Sequence, residues 1–230
     1  MSRNLEHSLA AAAESGAFAP VVPFTEGKDR VLRLDLSVNN AALREAGVTV
    51  TEGLAEWVAQ DLASNSANIG VGGYLEERKL YGQSEHFGGA EPRTLHLGLD
   101  IWVPPGTPIF APLAGRVHSF KNNTNFLDYG PTILLEHEIA GVKFLSLYGH
   151  LAAHSLDGMF DGKEIAKGEQ LATLGDRDVN GNWPPHLHLQ LILDPGEWRG
   201  DYPGVGEKSK LEHYRNNCPN PELICPWIVN

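Results

Sequence analysis

Apolar and polar residues alternate over short runs from Leu95 onward. Leu95, Leu97, Leu99 and Ile101 would share one face of a strand, and His96, Gly98 and Asp100 the other. The run Leu187-His188-Leu189-Gln190-Leu191 repeats the pattern, with His186, His188 and Gln190 opposite the leucines. It reads as a half-buried strand. Ile109–Ala111, Gly115–Phe120, Thr132–His137, Val142–Tyr148 and Gln170–Leu174 add further strands, separated by Gly-, Pro- and Asn-rich turns. The texture predicts an antiparallel β-sheet domain over residues 91–195.

Residues 1–90 predict a mixed α/β appendage. An Ala-rich helix spans Asn4–Ser15, Phe18–Phe24 is extended, and Val31–Leu36 is a strand. Ser37 or Asn39 would cap a short helix running to Ala46. Thr51 would cap a second helix, Glu52–Ser64, whose Leu54, Val58 and Leu62 form a core-facing stripe. Gly70–Tyr74 reads as a Gly-rich turn without a phosphate-binding pattern. Residues 196–230 read as an irregular tail wrapped on the domain.

The 230 residues carry a net charge of −11 and no basic cluster, which argues against a nucleic-acid partner. No run of about 18 apolar residues predicts a membrane span. Glu6 and Glu14 flank the short N-terminal apolar run, a poor signal peptide, so the expected location is cytoplasmic. Cys218 and Cys225 read as reduced thiols in that compartment. Oligomeric state is left open.

Two polar strand faces carry the candidate chemistry. His186 and His188, at i and i+2, lie roughly 6–7 Å apart along a strand. His96 and Asp100 are good zinc ligands but would be about 13 Å apart in a regular strand, so a bend or bulge is expected at Gly98, leaving space above the glycine for an ion. His96, Asp100 and one of His186 or His188 would give three protein ligands and an open fourth place, the pattern of a catalytic rather than a structural zinc. The spare histidine and His150 would move protons or stabilise an oxyanion. Tyr148 reads as packing, and His137 and His154 as weaker candidates for outer-shell partners. His7, His86, His118 and His213 have no constellation around them.

His96-Leu97-Gly98-Leu99-Asp100, Pro105–Pro112, Tyr148-Gly149-His150-Leu151 and His186-Leu187-His188 together resemble the M23 family of zinc metallopeptidases, the lysostaphin and LytM type, over about residues 94–193. The resemblance implies Zn2+ on His96, Asp100 and His188 and catalytic roles for His150 and His186. It implies a mainly β fold, an antiparallel sheet with the site in a groove, walled here by Asn122–Asp128 and Asp176–Trp183, with Trp183 and Phe126 as lining. The implied activity is zinc-dependent endopeptidase cleavage by metal-activated water, on a peptide or peptidoglycan-fragment substrate such as a cell-wall cross-link. The alternative is a non-catalytic M23-like metal- or ligand-binding module. Gly106–Val117 and Gly162–Leu174 also resemble the duplicated hybrid strand motif of biotinyl and lipoyl domains, but the lysine-bearing hairpin sequence is missing.

Overall fold

A computed structural model describes residues 2–50, 52–80 and 91–229. The expectations on Thr51 and His86 lie outside the described residues. The elements in chain order begin with α1 (Ser2–Glu14), β1 (Val31–Leu34), α2 (Ala41–Glu45), α3 (Leu54–Ser64) and β2 (Ile69–Gly72). Next come β3 (Arg93–His96), β4 (Leu99–Trp102), β5 (Pro108–Phe110), β6 (Gly115–Asn123), β7 (Gly130–Ile139) and β8 (Val142–Gly149). The chain continues through β9 (Glu164–Ile165), β10 (Gln170–Thr173), β11 (Leu187–Ile192), β12 (Val205–Glu207) and α4 (Leu211–Asn217).

One eight-stranded sheet runs β1-β2-β4-β11-β8-β7-β6-β9. It is antiparallel except where β1 pairs with β2 in parallel. The fold is therefore mainly β, as the alternation implied, with helices confined to the flanks. Strand β5 pairs with β10, and β3 with β12, in two small separate ladders.

Alternation sorts the side chains to two faces. Leu99, Ile101, Ile133, Leu135, Tyr148, Leu187, Leu189 and Leu191 enter the main core beneath Leu5 and Leu9 of α1. Each such side chain contributes roughly 1.5–3 kcal/mol when fully buried. Tyr148 packs there as expected, its hydroxyl accepting from Ser146 Oγ at 3.0 Å. His137 lies in the same layer, bonded to Ser146 Oγ at 2.7 Å, and so on the face away from His188. His154 is exposed.

Several local expectations are corrected. The glycine-rich stretch turns only at its end, at Tyr74. Ile69–Gly72 is a buried strand, because Gly70 and Gly72 let Leu34, Trp102 and Arg78 pack where a Cβ would stand. Asn40, not Ser37 or Asn39, caps α2, its Oδ1 accepting from Leu43 N at 3.1 Å. Helix α3 starts at Leu54, behind Gly53 in a left-handed conformation (φ 80°). The segment after residue 196 is more regular than an irregular tail, since it supplies β12 and α4. Its Tyr202, Tyr214 and Cys218 cover the second face of the sheet. Strand β11 is consequently buried on both faces rather than half-buried. Both cysteines are free thiols in the interior.

Candidate metal centre and its pocket

Strand pairing brings the candidate ligands into register. Asp100 lies opposite His188, and the row across the sheet reads Gly72, Asp100, His188, Gly149. A glycine at each end of that row makes room for a second layer of side chains. A Cβ on Gly72 would stand 2.8 Å from Arg78 Nη2, and one on Gly149 would stand 2.7 Å from the Tyr129 ring. His96 arrives differently. The chain leaves regular strand geometry at Leu97–Gly98, and β3 swings out to pair with β12, where His96 faces Val205. The expected interruption at Gly98 is present, with a different occupant above it. A Cβ there would fall 2.5 Å from His188 Nε2, so the glycine makes space for an imidazole, not for the ion.

Three ligand atoms converge. His96 Nε2 lies 3.1 Å from Asp100 Oδ1, His188 Nδ1 lies 3.2 Å from the same oxygen, and the two nitrogens are 3.1 Å apart. A tetrahedral site with bonds of about 2.0–2.1 Å has edges of about 3.3 Å, so this triangle matches three corners of a zinc site. The outer hydrogen bonds fix which atoms face inward. His96 Nδ1 meets the Gly73 carbonyl at 2.8 Å, and His188 Nε2 meets Gln190 Oε1 at 3.0 Å. Both partners only accept, so each ring donates outward and turns its other nitrogen lone pair inward. Gln190 is oriented for this because its Nε2 donates to the Pro203 carbonyl at 3.2 Å. Two lone pairs and a carboxylate oxygen thus face one another in a buried space. That arrangement could hold a cation, and N/N/O donors in this number suit zinc.

The carboxylate is controlled from its far side. Arg78 Nη1 donates to Asp100 Oδ2 at 2.6 Å, and Arg78 Nε to Glu76 Oε2 at 2.5 Å. Burial opposes ionisation of Asp100, but His96, Arg78 and His186 outweigh it and hold its pKa well below the usual carboxylate value.

His186 and His150 stand beside the triangle. His186 Nε2 is 3.7 Å from Asp100 Oδ1, its Nδ1 bonds the Pro184 carbonyl at 2.7 Å, and Trp102 stacks on its ring at 4.5 Å. His150 Nδ1 bonds the Asn180 carbonyl at 3.0 Å, and the two rings are 4.4 Å apart between centroids. In both rings Nδ1 is therefore the donor and Nε2 the free acceptor. His150 adopts a left-handed backbone (φ 63°), uncommon for a non-glycine residue and costing on the order of 1 kcal/mol or more. The backbone bonds His150 N to Tyr129 O at 2.8 Å and Gly175 N to His150 O at 2.9 Å hold it there.

The pocket over these groups encloses about 610 Å3, part of it open to solvent, and Leu127, Asp128, Tyr129, Trp183, Trp198 and Tyr202–Val205 are among its walls. Both expected wall segments contribute, and Trp183 lines the pocket. Phe126 does not: it is 54% exposed and turned to a neighbouring concavity. Sequence reading missed Arg78, Tyr129 and the wall at residues 198–205. The missed signal for the wall was an aromatic, glycine-punctuated run, Trp198 to Gly206, inside a stretch dismissed as tail.

Two expectations follow. Gly98→Ala must displace His188 or the Leu189 carbonyl, which a Cβ would approach to 2.8 Å. It is expected to cost about 1–3 kcal/mol in urea unfolding and to weaken metal binding; unaltered stability and affinity would show that the glycine makes no such room. The second concerns pH. Burial and then Arg78 lower the His96 pKa to about 4, burial and its histidine neighbours hold His150 well below its ordinary value, and burial lowers His186 against the pull of Asp100. An unfolded histidine takes up its proton near 6.5, whereas these folded ones refuse it. The metal-free protein is therefore expected to lose stability as pH falls from about 6.5 towards 4, by on the order of 3 kcal/mol for His96 alone. A urea midpoint equal at pH 7 and pH 5 would contradict this.

Residues 94–197 match the family model described as Peptidase family M23, and this segment is an M23 peptidase-family domain. An uncharacterized metalloprotease of Haemophilus influenzae is 28% identical over 99 residues, covering 43% of this chain and 19% of that protein. The uncharacterized lipoprotein YgeR of Escherichia coli K12 is 29% identical over 118 residues, covering 49% of this chain and 41% of its own. The chain spans less than half the length of either curated relative. Among solved structures, a zinc containing peptidase from Vibrio cholerae is 25% identical, with a TM-score of 0.34, covering 43% of this chain and 27% of that one. No helix among the described residues is long and apolar enough to cross a membrane.

Proposed function

We propose that the protein is a zinc metallopeptidase, with the ion held by His96 Nε2, Asp100 Oδ1 and His188 Nδ1. The observation that carries this reading is the inward-facing set of two nitrogen lone pairs and one carboxylate oxygen within 3.2 Å of one another. When bound, zinc at three such ligands supplies Lewis acidity and a water nucleophile at neutral pH. His150 and His186 each present a neutral Nε2 to the pocket, fit to accept a proton from the nucleophile and return it to the leaving amine. Trp102 fixes the His186 ring, and the Asn180 carbonyl fixes that of His150. The substrate proposed is a peptide, of the kind found in peptidoglycan cross-links.

One observation favours a second reading, a non-catalytic ligand-binding module. His96, Asp100, His150, His186 and His188 are each less than 5% exposed, beneath a wall fastened by the bond from Leu97 N to Gly204 O at 2.8 Å. Metal analysis of the purified protein, paired with mass spectrometry of a muropeptide and peptide panel, separates the two. The peptidase is expected to hold about one zinc per chain and to release new termini that a chelator suppresses. Full zinc with no cleavage across the panel would favour the module, and absence of zinc would reject the peptidase.

A further inference from the structure

The family match begins at residue 94, yet two contacts that shape the triangle come from the chain before it. The Gly73 carbonyl accepts from His96, and Arg78 grips Asp100. The segment is fastened to β3 by three backbone bonds: Leu75 N to His96 O at 2.8 Å, His96 N to Glu76 O at 2.9 Å, and Arg78 N to Thr94 O at 2.8 Å. Arg78 is 2% exposed. An arginine this deep is expensive to bury unless its charge is matched, and here Glu76 and Asp100 both match it. Glu76 also accepts from Leu36 N at 3.2 Å, which ties the ion-pair chain to the backbone after β1.

We propose that Arg78 is a positioning residue that occupies Asp100 Oδ2 and so confines the carboxylate to one-oxygen ligation through Oδ1. The 72–78 segment is thereby a working part of the metal centre. A carboxylate free to rotate can offer both oxygens to an ion, which would fill the coordination place a substrate or water needs. The guanidinium fork suits this task because one nitrogen anchors on Glu76 while another reaches Asp100, which a lysine's single nitrogen does not reproduce. Gly72 is the matching sequence feature. It sits opposite Asp100 in the sheet, and a methyl there would meet Arg78 Nη2 at 2.8 Å.

The inference rests on the zinc reading above, and its test separates the two. The 230-residue wild-type chain, Arg78→Met and Gly72→Ala are titrated with zinc against a chromophoric chelator, then loaded with cobalt(II) for visible absorption. Wild type is expected to bind one equivalent and to give the intense bands of a four-coordinate cobalt site. Arg78→Met is expected to bind zinc about 10- to 100-fold more weakly, the range for loss of an outer partner, and to give the weaker bands of a higher-coordinate ion. Gly72→Ala keeps every charge and only pushes the guanidinium aside, so a smaller change in the same direction is expected. It decides the matter if Arg78→Met does not fold. Wild-type affinity and an unchanged cobalt spectrum in the folded variants would overturn the role of Arg78 and leave the zinc reading intact. Failure of wild type to bind zinc would overturn both.

Discussion

His188→Ala is expected to abolish stoichiometric zinc binding and, with it, peptide cleavage. The residue supplies one of three converging donors, and its Nδ1 is 3.1 Å from His96 Nε2 and 3.2 Å from Asp100 Oδ1. Outer-partner substitutions at metal sites cost 10- to 100-fold in affinity, so loss of a direct donor is expected to exceed about 100-fold. His188 gives a cleaner test than Asp100. Asp100→Ala also removes the donor, but it strips the buried Arg78 of its Asp100 carboxylate, and breaking a buried ion pair costs about 3–5 kcal/mol. His188→Ala leaves the Arg78–Asp100 ion pair intact. Its outer partner Gln190 still has Pro203 O to bond, and the strand keeps its three leucines in the main core. Zinc content by elemental analysis, alongside the unfolding midpoint, distinguishes an emptied site from an unfolded chain. Retention of one zinc by a folded His188→Ala protein would falsify the ligand assignment.

The sheet was legible because apolar and polar positions alternate along several of its strands. Leu99–Trp102 and Leu187–Leu191 put Asp100 and His188 on one face, and their pairing brings the two together. Leu95 and Leu97 do not share the face of Leu99 and Ile101 as alternation predicted, because the chain breaks at Leu97–Gly98 and sends them to a different cluster. What alternation does not encode is which elements cover the polar face. Strand β11 reads as half-exposed, yet the chain beyond residue 196 buries it through Tyr202, Tyr214 and Cys218. The Gly70–Gly72 strand was hidden for a related reason. Glycines ordinarily mark turns, and here they are required by what packs on them: Leu34 and Trp102 over Gly70, Arg78 over Gly72. Arg78 itself carries no periodic signal. Its role comes from a contact with Asp100, 22 residues away in sequence, on a strand read as ligand-bearing. The five histidine and aspartate candidates were readable as a group, because each lies on or beside a strand whose leucines declare its orientation. The choice between His186 and His188 was not readable from spacing alone. It rests on register: His188 lies directly opposite Asp100, while His186 sits before β11 begins, with Nε2 at 3.7 Å.

Substitution of His150 is expected to remove catalysis and leave the zinc in place. Asparagine is the replacement of choice, because position 150 has a φ of 63° and asparagine tolerates left-handed backbone better than alanine. Its amide can also donate to the Asn180 carbonyl that now accepts from His150 Nδ1. What His150→Asn lacks is the basic Nε2. Loss of a general acid–base typically lowers turnover about 10²- to 10⁴-fold, and the fall is expected in kcat with KM little changed. His186→Ala is expected to act likewise, with some added loss of packing because Trp102 stacks on that ring. If the two rings, 4.4 Å apart, pass one proton between them, the double variant will be scarcely slower than either single one; two independent contributions would multiply. Zinc stoichiometry near one in both variants is part of the expectation, since neither ring is among the three converging donors. Metal lost together with activity would move His150 or His186 into the ligand set. Activity retained in a zinc-loaded His150→Asn protein would remove it from the chemistry.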